Sequence, residues 1–284
     1  MTDDAAMAPR QEARPSRRWR RAGAALLVSA LAFCAGALLG VPVCYPFDVL
    51  WNLGGVVEVD EVRRQGDGRV RVVFLQHGLW RTPRSLDRLE RTLTAHGYEV
   101  VNTGYPSTED YIEAHADRLR DAVEARCARG DVDEISFVGH SMGGLVIHEY
   151  LRREDARVPA ACVYIATPQR GAILAGKRRH WWLFEMVMGR KAAGQLATTD
   201  DFHLQPIPFP ARTGTIVGDI GDGNEAIPGR DDGTVGVDEA TFVGAGASLR
   251  VPYGHTRIVI MDEVLRQVLH FLARGDFAAP SKQG

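Results

Sequence analysis

Cysteine is scarce, with four in 284 residues. None of the four shows a metal-type spacing, which argues against a cysteine-built metal site, and although export would permit a disulfide, spacing alone identifies no pair. Charge of one sign is also missing. The formal net charge is −2, which excludes the basic footprint of a general polyanion binder. No internal repeat is present, so a solenoid or propeller is excluded. No calcium loop of EF-hand spacing occurs either. Long charge-free runs are absent save for Ala22–Val41 (AGAALLVSALAFCAGALLGV). What remains is a hydrophobic content of 45%, ordinary for a globular protein and ample for one large core.

The charge-free run follows Arg10, Arg14, Arg17, Arg18, Arg20 and Arg21, and the next basic residue is Arg63. At helical rise it spans about 30 Å, a bilayer's hydrocarbon thickness. The basic side stays cytoplasmic by the positive-inside rule. The expectation is a single-pass anchor in the cell membrane, with a catalytic domain outside it. A cleaved signal peptide, and hence secretion, is the rival reading, because Ala and Gly are frequent enough to supply a cleavage site. A lipid-modified Cys34 is a weaker option, since Phe33 occupies a position that wants a small residue. The division expected is a basic tail (1–21), an anchor or signal segment (22–41), a linker with a first strand (42–68), a globular domain (69–274) and a loose tail (275–284).

Within the globular part, short apolar runs alternate with amphipathic helices. Val70–Leu75, Glu99–Thr103, Ile135–Val138, Ala161–Ala166, Thr215–Val217 and Leu249–Val251 read as strands. Ser85–His96, a long helix capped by Ser107 or Thr108, Leu145–Leu151 and Asp262–Ala273 read as helices. Val56–Val62 adds an expected antiparallel strand at the start. Such alternation predicts an α/β fold, a mostly parallel central sheet covered by helices on both faces. Residues 172–210 break the alternation. They are basic, then aromatic, then polar, and read as a small inserted cap or lid.

The most specific motif is Gly139-His140-Ser141-Met142-Gly143, followed by Gly144, set between the strand ISFV and the helix LVIHEYL. In that context the serine sits on a sharp strand-to-helix turn that exposes its hydroxyl. Together with His77-Gly78 at the end of the first strand, this layout resembles bacterial lipases and esterases of the α/β-hydrolase superfamily. The resemblance runs from roughly Arg69 to Arg274. It implies an α/β-hydrolase fold with Ser141 as nucleophile. The base it implies is a histidine between the last strand and last helix. Of nine histidines, His255 in VPYGHTR holds that place. The triad acid follows a late strand, and the Asp-Gly-x-Val pattern points to Asp232, with Asp231 adjacent and Asp219, Asp222 and Asp238 as further options. The oxyanion donors implied are the backbone N–H groups of Met142 and Leu79. His77 reads as a residue that organises its loop.

Lys177–Met188 places Trp181, Trp182 and Phe184 beside a basic run. With Trp80 they are the candidate contacts to a hydrophobic acyl group, and a helix merely packed on the core is the competing reading. The acidic turn Asp219, Asp222, Asn224, Glu225 reads as solvated rather than as a calcium site. No metal or cofactor is expected, and no nucleic acid. The partners expected are a hydrophobic ester or lipid and, through the N-terminal segment, a membrane. Ester hydrolysis is the expected activity. Acyl transfer to an alcohol, or a membrane-anchored binding protein without catalysis, are the alternatives. Oligomeric state has no signature here.

Overall fold

The computed structural model describes residues 54–59, 62, 67–178, 191–196, 206–242 and 244–279. The expected anchor at Ala22–Val41, with Cys34 and Cys44, lies outside them, as do Trp181, Trp182 and Phe184. Among the described residues no helix is long and apolar enough to cross a membrane.

Six strands form one sheet: β1 (Arg71–Gln76), β2 (Glu99–Asn102), β3 (Glu134–His140), β4 (Ala161–Ile165), β5 (Thr213–Gly218) and β6 (Ala247–Val251). Their order is β2-β1-β3-β4-β5-β6, and every pairing is parallel. The helices are α1 (Asp87–Ala95), α2 (Ile112–Cys127), α3 (Met142–Leu151), α4 (Ile173–Arg178), α5 (Ala192–Leu196), α6 (Val237–Ala240) and α7 (Asp262–Arg274).

The central strands β1, β3 and β4 are buried almost throughout because both faces are covered, while the edge strands β2 and β6 keep Glu99, Ser248 and Arg250 exposed. Alternate residues of β1 point to opposite sides. Val73 and Leu75 join Val163, Ile165 and Ile216 against α1 (Leu89, Leu93) and α7 (Val264, Leu265, Val268, Leu269). Val72 and Phe74 join Phe137, Cys162 and Tyr164 against α2 (Ile112, Leu119, Val123) and α3 (Leu145, Ile147, Tyr150). Cys162 is wholly buried and behaves as a core hydrophobe, its thiol pushed up to about 12 by burial. It and Cys127 are free. α7 carries Asp262 and Glu263 in its first turn and stops at Gly275, whose N–H bonds the Phe271 carbonyl at φ 82°, a left-handed termination that suits glycine.

Two local expectations are corrected. Val56–Val59 forms no strand. The Val57 N–H bonds Thr92 Oγ1 and the Val59 N–H bonds His96 Nε2, so side chains of α1 and its C-terminal end satisfy backbone groups that a sheet would have taken. The helix expected from Ser107 or Thr108 begins at Ile112. Ser107 Oγ instead accepts the Trp80 N–H at 3.0 Å, a tertiary bond that outcompetes local capping.

The chain runs from β1 to β2 on one side, then crosses to β3 on the other. Open parallel sheets bind ligands beyond the carboxyl ends of strands at such a switch. β1 ends there in the loop His77–Trp80, and β3 ends there in Ser141.

Candidate active site

Ser141 links β3 to α3 with φ 54° and ψ −127°. A left-handed, non-glycine residue of this kind stores backbone strain, held here because the neighbours leave no room for another path. The Ser141 N–H bonds the Ile165 carbonyl, and its carbonyl accepts the Gly144 N–H. A Cβ on Gly143 would stand 2.2 Å from the Gln76 carbonyl oxygen, and one on Gly139 2.6 Å from Gly144. The glycines of the motif thus let β1, β3 and α3 close around the serine.

His255 lies between β6 and α7. Its Nε2 is 3.0 Å from Ser141 Oγ, and its Nδ1 is 2.7 Å from Asp232 Oδ2. The carboxylate can only accept, so Nδ1 carries the proton and Nε2 is left as a lone-pair acceptor for the serine hydroxyl. Asp232 is itself fixed. Its Oδ1 takes the N–H groups of Thr234 and Val235 at 3.0 and 2.7 Å, and its carbonyl takes the His255 N–H at 2.9 Å. The Asp232 side chain is 1% exposed and that of His255 is 11% exposed. A hydroxyl, an imidazole and a shielded carboxylate in this order can move a proton off the serine and stabilise the resulting imidazolium.

Asp231, the neighbouring option, turns the other way. It accepts the N–H groups of Asn224 and Gly233, so it shapes the loop that presents Asp232. Asp219 is spent on Arg230 and the Gly221 N–H. Among the described residues no cluster of acidic, His or Cys side chains is arranged to hold a metal ion.

On the other side of Ser141 stands the loop after β1. A Cβ on Gly78 would lie 3.0 Å from the Ser141 Cβ, so the loop rests directly on the serine. Trp80 is left-handed at φ 63°, and the Arg81 N–H closes a turn onto the Gly78 carbonyl. Leu79, at the centre of that turn, has no hydrogen-bond partner for its N–H among the described residues. Met142 opens α3, so its N–H has no acceptor one turn back in the helix. Met142 follows the serine directly, and Leu79 follows the glycine that rests on it.

His77 braces this loop. Its ring stacks on Tyr105 with centroids 4.3 Å apart, its Nδ1 bonds the Gly78 carbonyl, and the Tyr105 hydroxyl donates to the His77 carbonyl. Burial pushes the His77 imidazole down to about 4. Two contributors escaped sequence reasoning. Gly218, at the end of β5, has no Cβ because one would fall 2.7 Å from the Asp232 Cβ. Glu239 of α6 takes the N–H groups of Ile173 and Gly236, tying the start of the inserted segment to the Asp232 loop.

Residues 191–196 of that inserted segment dock onto the N-terminal end of α2. Lys191 pairs with Asp110 at 2.9 Å. Gln195 accepts the Ile112 N–H and donates to Glu113. Leu196 is buried in the α2–α3 side of the core.

The family model described as "Alpha/beta hydrolase family" matches residues 72–280. Among solved structures, the mature form of Bacillus licheniformis lipase BlEst2 gives a TM-score of 0.59 at 17% identity, over 78% of this chain and 100% of that one. Phospholipase PlaB from Legionella pneumophila gives 0.57 at 14% identity, over 72% of this chain and 59% of that one. The metagenomic carboxyl esterase MGS0156 gives 0.53 at 19% identity, over 67% and 65%. At these identities the likeness is one of fold. None of the curated proteins matches in sequence.

Proposed function

The chain belongs to the alpha/beta hydrolase family, and on that premise we propose that it is a serine carboxylic ester hydrolase working through an acyl-enzyme. The observation that carries the reading is the unbroken hydrogen-bond chain Ser141–His255–Asp232. Ser141 Oγ attacks the ester carbonyl as His255 Nε2 takes its proton. The Leu79 and Met142 amides bind the oxyanion. The C–O bond then breaks, and the alcohol leaves with the proton from His255. Water, deprotonated by His255, attacks the acyl-enzyme and releases the acid, returning the proton to Ser141. Asp232 holds the tautomer throughout and stays ionised.

The expected substrate carries a hydrophobic acyl group, with Trp80 at the oxyanion loop and Trp181, Trp182 and Phe184 of the inserted segment as its contacts. Segment 22–41 is proposed as a membrane anchor, supported by its length, its lack of charge and the arginines before it. Retention of the full chain in carbonate-washed membranes, and release of a chain lacking residues 1–41, would bear this out.

The catalytic reading is tested with p-nitrophenyl esters of increasing acyl length, using the full chain and its Ser141→Ala variant. Serine-dependent release of p-nitrophenol supports it, and the optimum length assigns an esterase or a lipase. Equal rates for the two proteins would overturn it. Added alcohols that divert the acyl group from acid to new ester at low concentration would make the protein an acyltransferase.

A further inference from the structure

We propose that His140 is a positioning residue that fixes the backbone of His255 against the end of β3, one residue before Ser141. The proposal rests on the acyl-enzyme reading above for its kinetic consequence, though not for its structural one.

His140 is the last residue of β3 and is 3% exposed. Its Nε2 lies 3.0 Å from the His255 carbonyl oxygen. A carbonyl only accepts, so Nε2 carries the proton and the tautomer is fixed. The two rings stand 5.0 Å apart, tilted by 42°. The opposite edge of the His140 ring faces the oxyanion loop, because a Cβ on Gly78 would lie 3.4 Å from Nδ1. One imidazole thus bonds the base loop and lies beside Gly78 of the loop after β1 while joined by a single peptide bond to Ser141.

The consequence is geometric. The His255 backbone is held from both sides, its N–H by the Asp232 carbonyl at 2.9 Å and its C=O by His140. The first bond aligns His255 with its acid. The second aligns it with its nucleophile, since the donor and Ser141 are consecutive residues at the end of β3 and the turn that follows it. Without it, the loop Tyr253–Arg257 keeps its own short-range turns, the bonds of His255 to Asp232 and the Tyr253 hydroxyl bond to Glu263, none of which ties it to β3. The Nε2–Oγ distance would then depend on a loop held to Asp232 and α7 with no backbone bond to the end of β3. Misplacement on the scale of 1 Å costs on the order of 10²-fold in rate.

The residue type fits the task. The donor must reach well beyond Cβ, which serine and asparagine do not. It must also be uncharged, because a cation there would oppose the imidazolium that forms on His255. Burial holds the His140 imidazole well below its usual range, the neighbouring His255 adding to the effect, so the ring is neutral at working pH.

Three variants of the full chain test this: His140→Leu removes the donor, His140→Gln places an amide N–H at the reach of Nε2, and His140→Asn places one too short. The readouts are kcat and KM for a p-nitrophenyl ester and the far-downfield proton signal of the His255 Nδ1–H···Asp232 bond. The expected result is a kcat loss of about 10- to 100-fold for Leu and Asn with KM within about threefold. Both should broaden or lose the downfield signal, and Gln should restore both readouts to within a few-fold of the parent. If the Leu variant does not fold, the Gln and Asn pair decides. Parent-like kcat with an unchanged downfield signal in the Asn variant would overturn the proposal. So would a Gln variant as impaired as Asn, which would assign the effect to ring packing. If Ser141→Ala hydrolyses the ester as fast as the parent, the hydrolase reading fails, and the downfield signal still judges the role of His140.

Discussion

Gly143→Ala is the perturbation whose magnitude follows most directly from the coordinates. The new methyl would lie 2.2 Å from the Gln76 carbonyl oxygen, and 2.6 Å from both the Gln76 carbonyl carbon and the His77 carbonyl oxygen. Ordinary contact begins near 3.4 Å, so either the first turn of α3 or the end of β1 must move by about 1 Å. Neither is a flexible tip. β1 is paired on both sides, to β2 and to β3, with Gln76 in register with Gly139. Overpacking of this kind costs about 1–3 kcal/mol, or roughly 2–12 °C in Tm for a domain of this size. The same shift changes the separation of the Met142 and Leu79 amides. Loss of one oxyanion donor costs about 10²–10³ in kcat, so a loss approaching that range is expected. Gly130→Ala is the control. Gly130 has φ +75° with nothing near its Cβ position, at the far end of α2 from the site. It should lower Tm through backbone strain and leave kcat unchanged. Thermal unfolding and ester kinetics on the three proteins give the answer. Parent-like kcat in a folded Gly143→Ala protein would refute the reasoning.

Asp232→Asn should cut kcat by about 10⁴, because an amide allows the wrong histidine tautomer, whereas Asp231→Asn should destabilise the loop by about 1–3 kcal/mol and spare most of the activity; kinetics and unfolding of both variants separate the two roles. Acid should weaken the fold. The folded His77 imidazole titrates near 4, below its unfolded value of about 6.5. Its contribution is therefore fully present above pH about 6.5 and lost as pH falls through about 4, worth roughly 3 kcal/mol. Burial pushes His140 and His115 in the same direction. Tm measured between pH 7 and 4 should fall, and His77→Gln should make the fall shallower; an equal slope would contradict the assignment.

Legibility in the sequence followed how local each cause is. The central strands could be read because burial on both faces makes each a nearly continuous apolar run, as in Val72–Leu75, whereas the edge strands β2 and β6 carry exposed Glu99, Ser248 and Arg250 and show only through short apolar stretches. Ser141 could be read because the glycines around it answer to contacts within the same turn and the adjacent strand. Chain order and the Asp-Gly-x-Val pattern marked His255 and Asp232, and the two side chains meet. Long-range partners were not legible. Ser107 looks like a helix cap, but its hydroxyl is taken by Trp80 from a loop far earlier in the chain. Val56–Val62 reads as a strand, but the side chains of Thr92 and His96 take the Val57 and Val59 N–H groups. His140 reads as motif filler until its bond to the His255 carbonyl is seen. Gly218 carries no signal of its need to clear Asp232.

Labelling with a fluorophosphonate, followed by peptide mass spectrometry, tests the central claim most directly, since the reagent reacts with a serine only where a base and an oxyanion site activate it. The full chain should acquire one adduct, on the peptide containing Ser141. Labelling should disappear in Ser141→Ala and persist in Asp231→Asn. No adduct on the folded protein, or an adduct on a different residue that survives Ser141→Ala, would contradict Ser141 as the nucleophile.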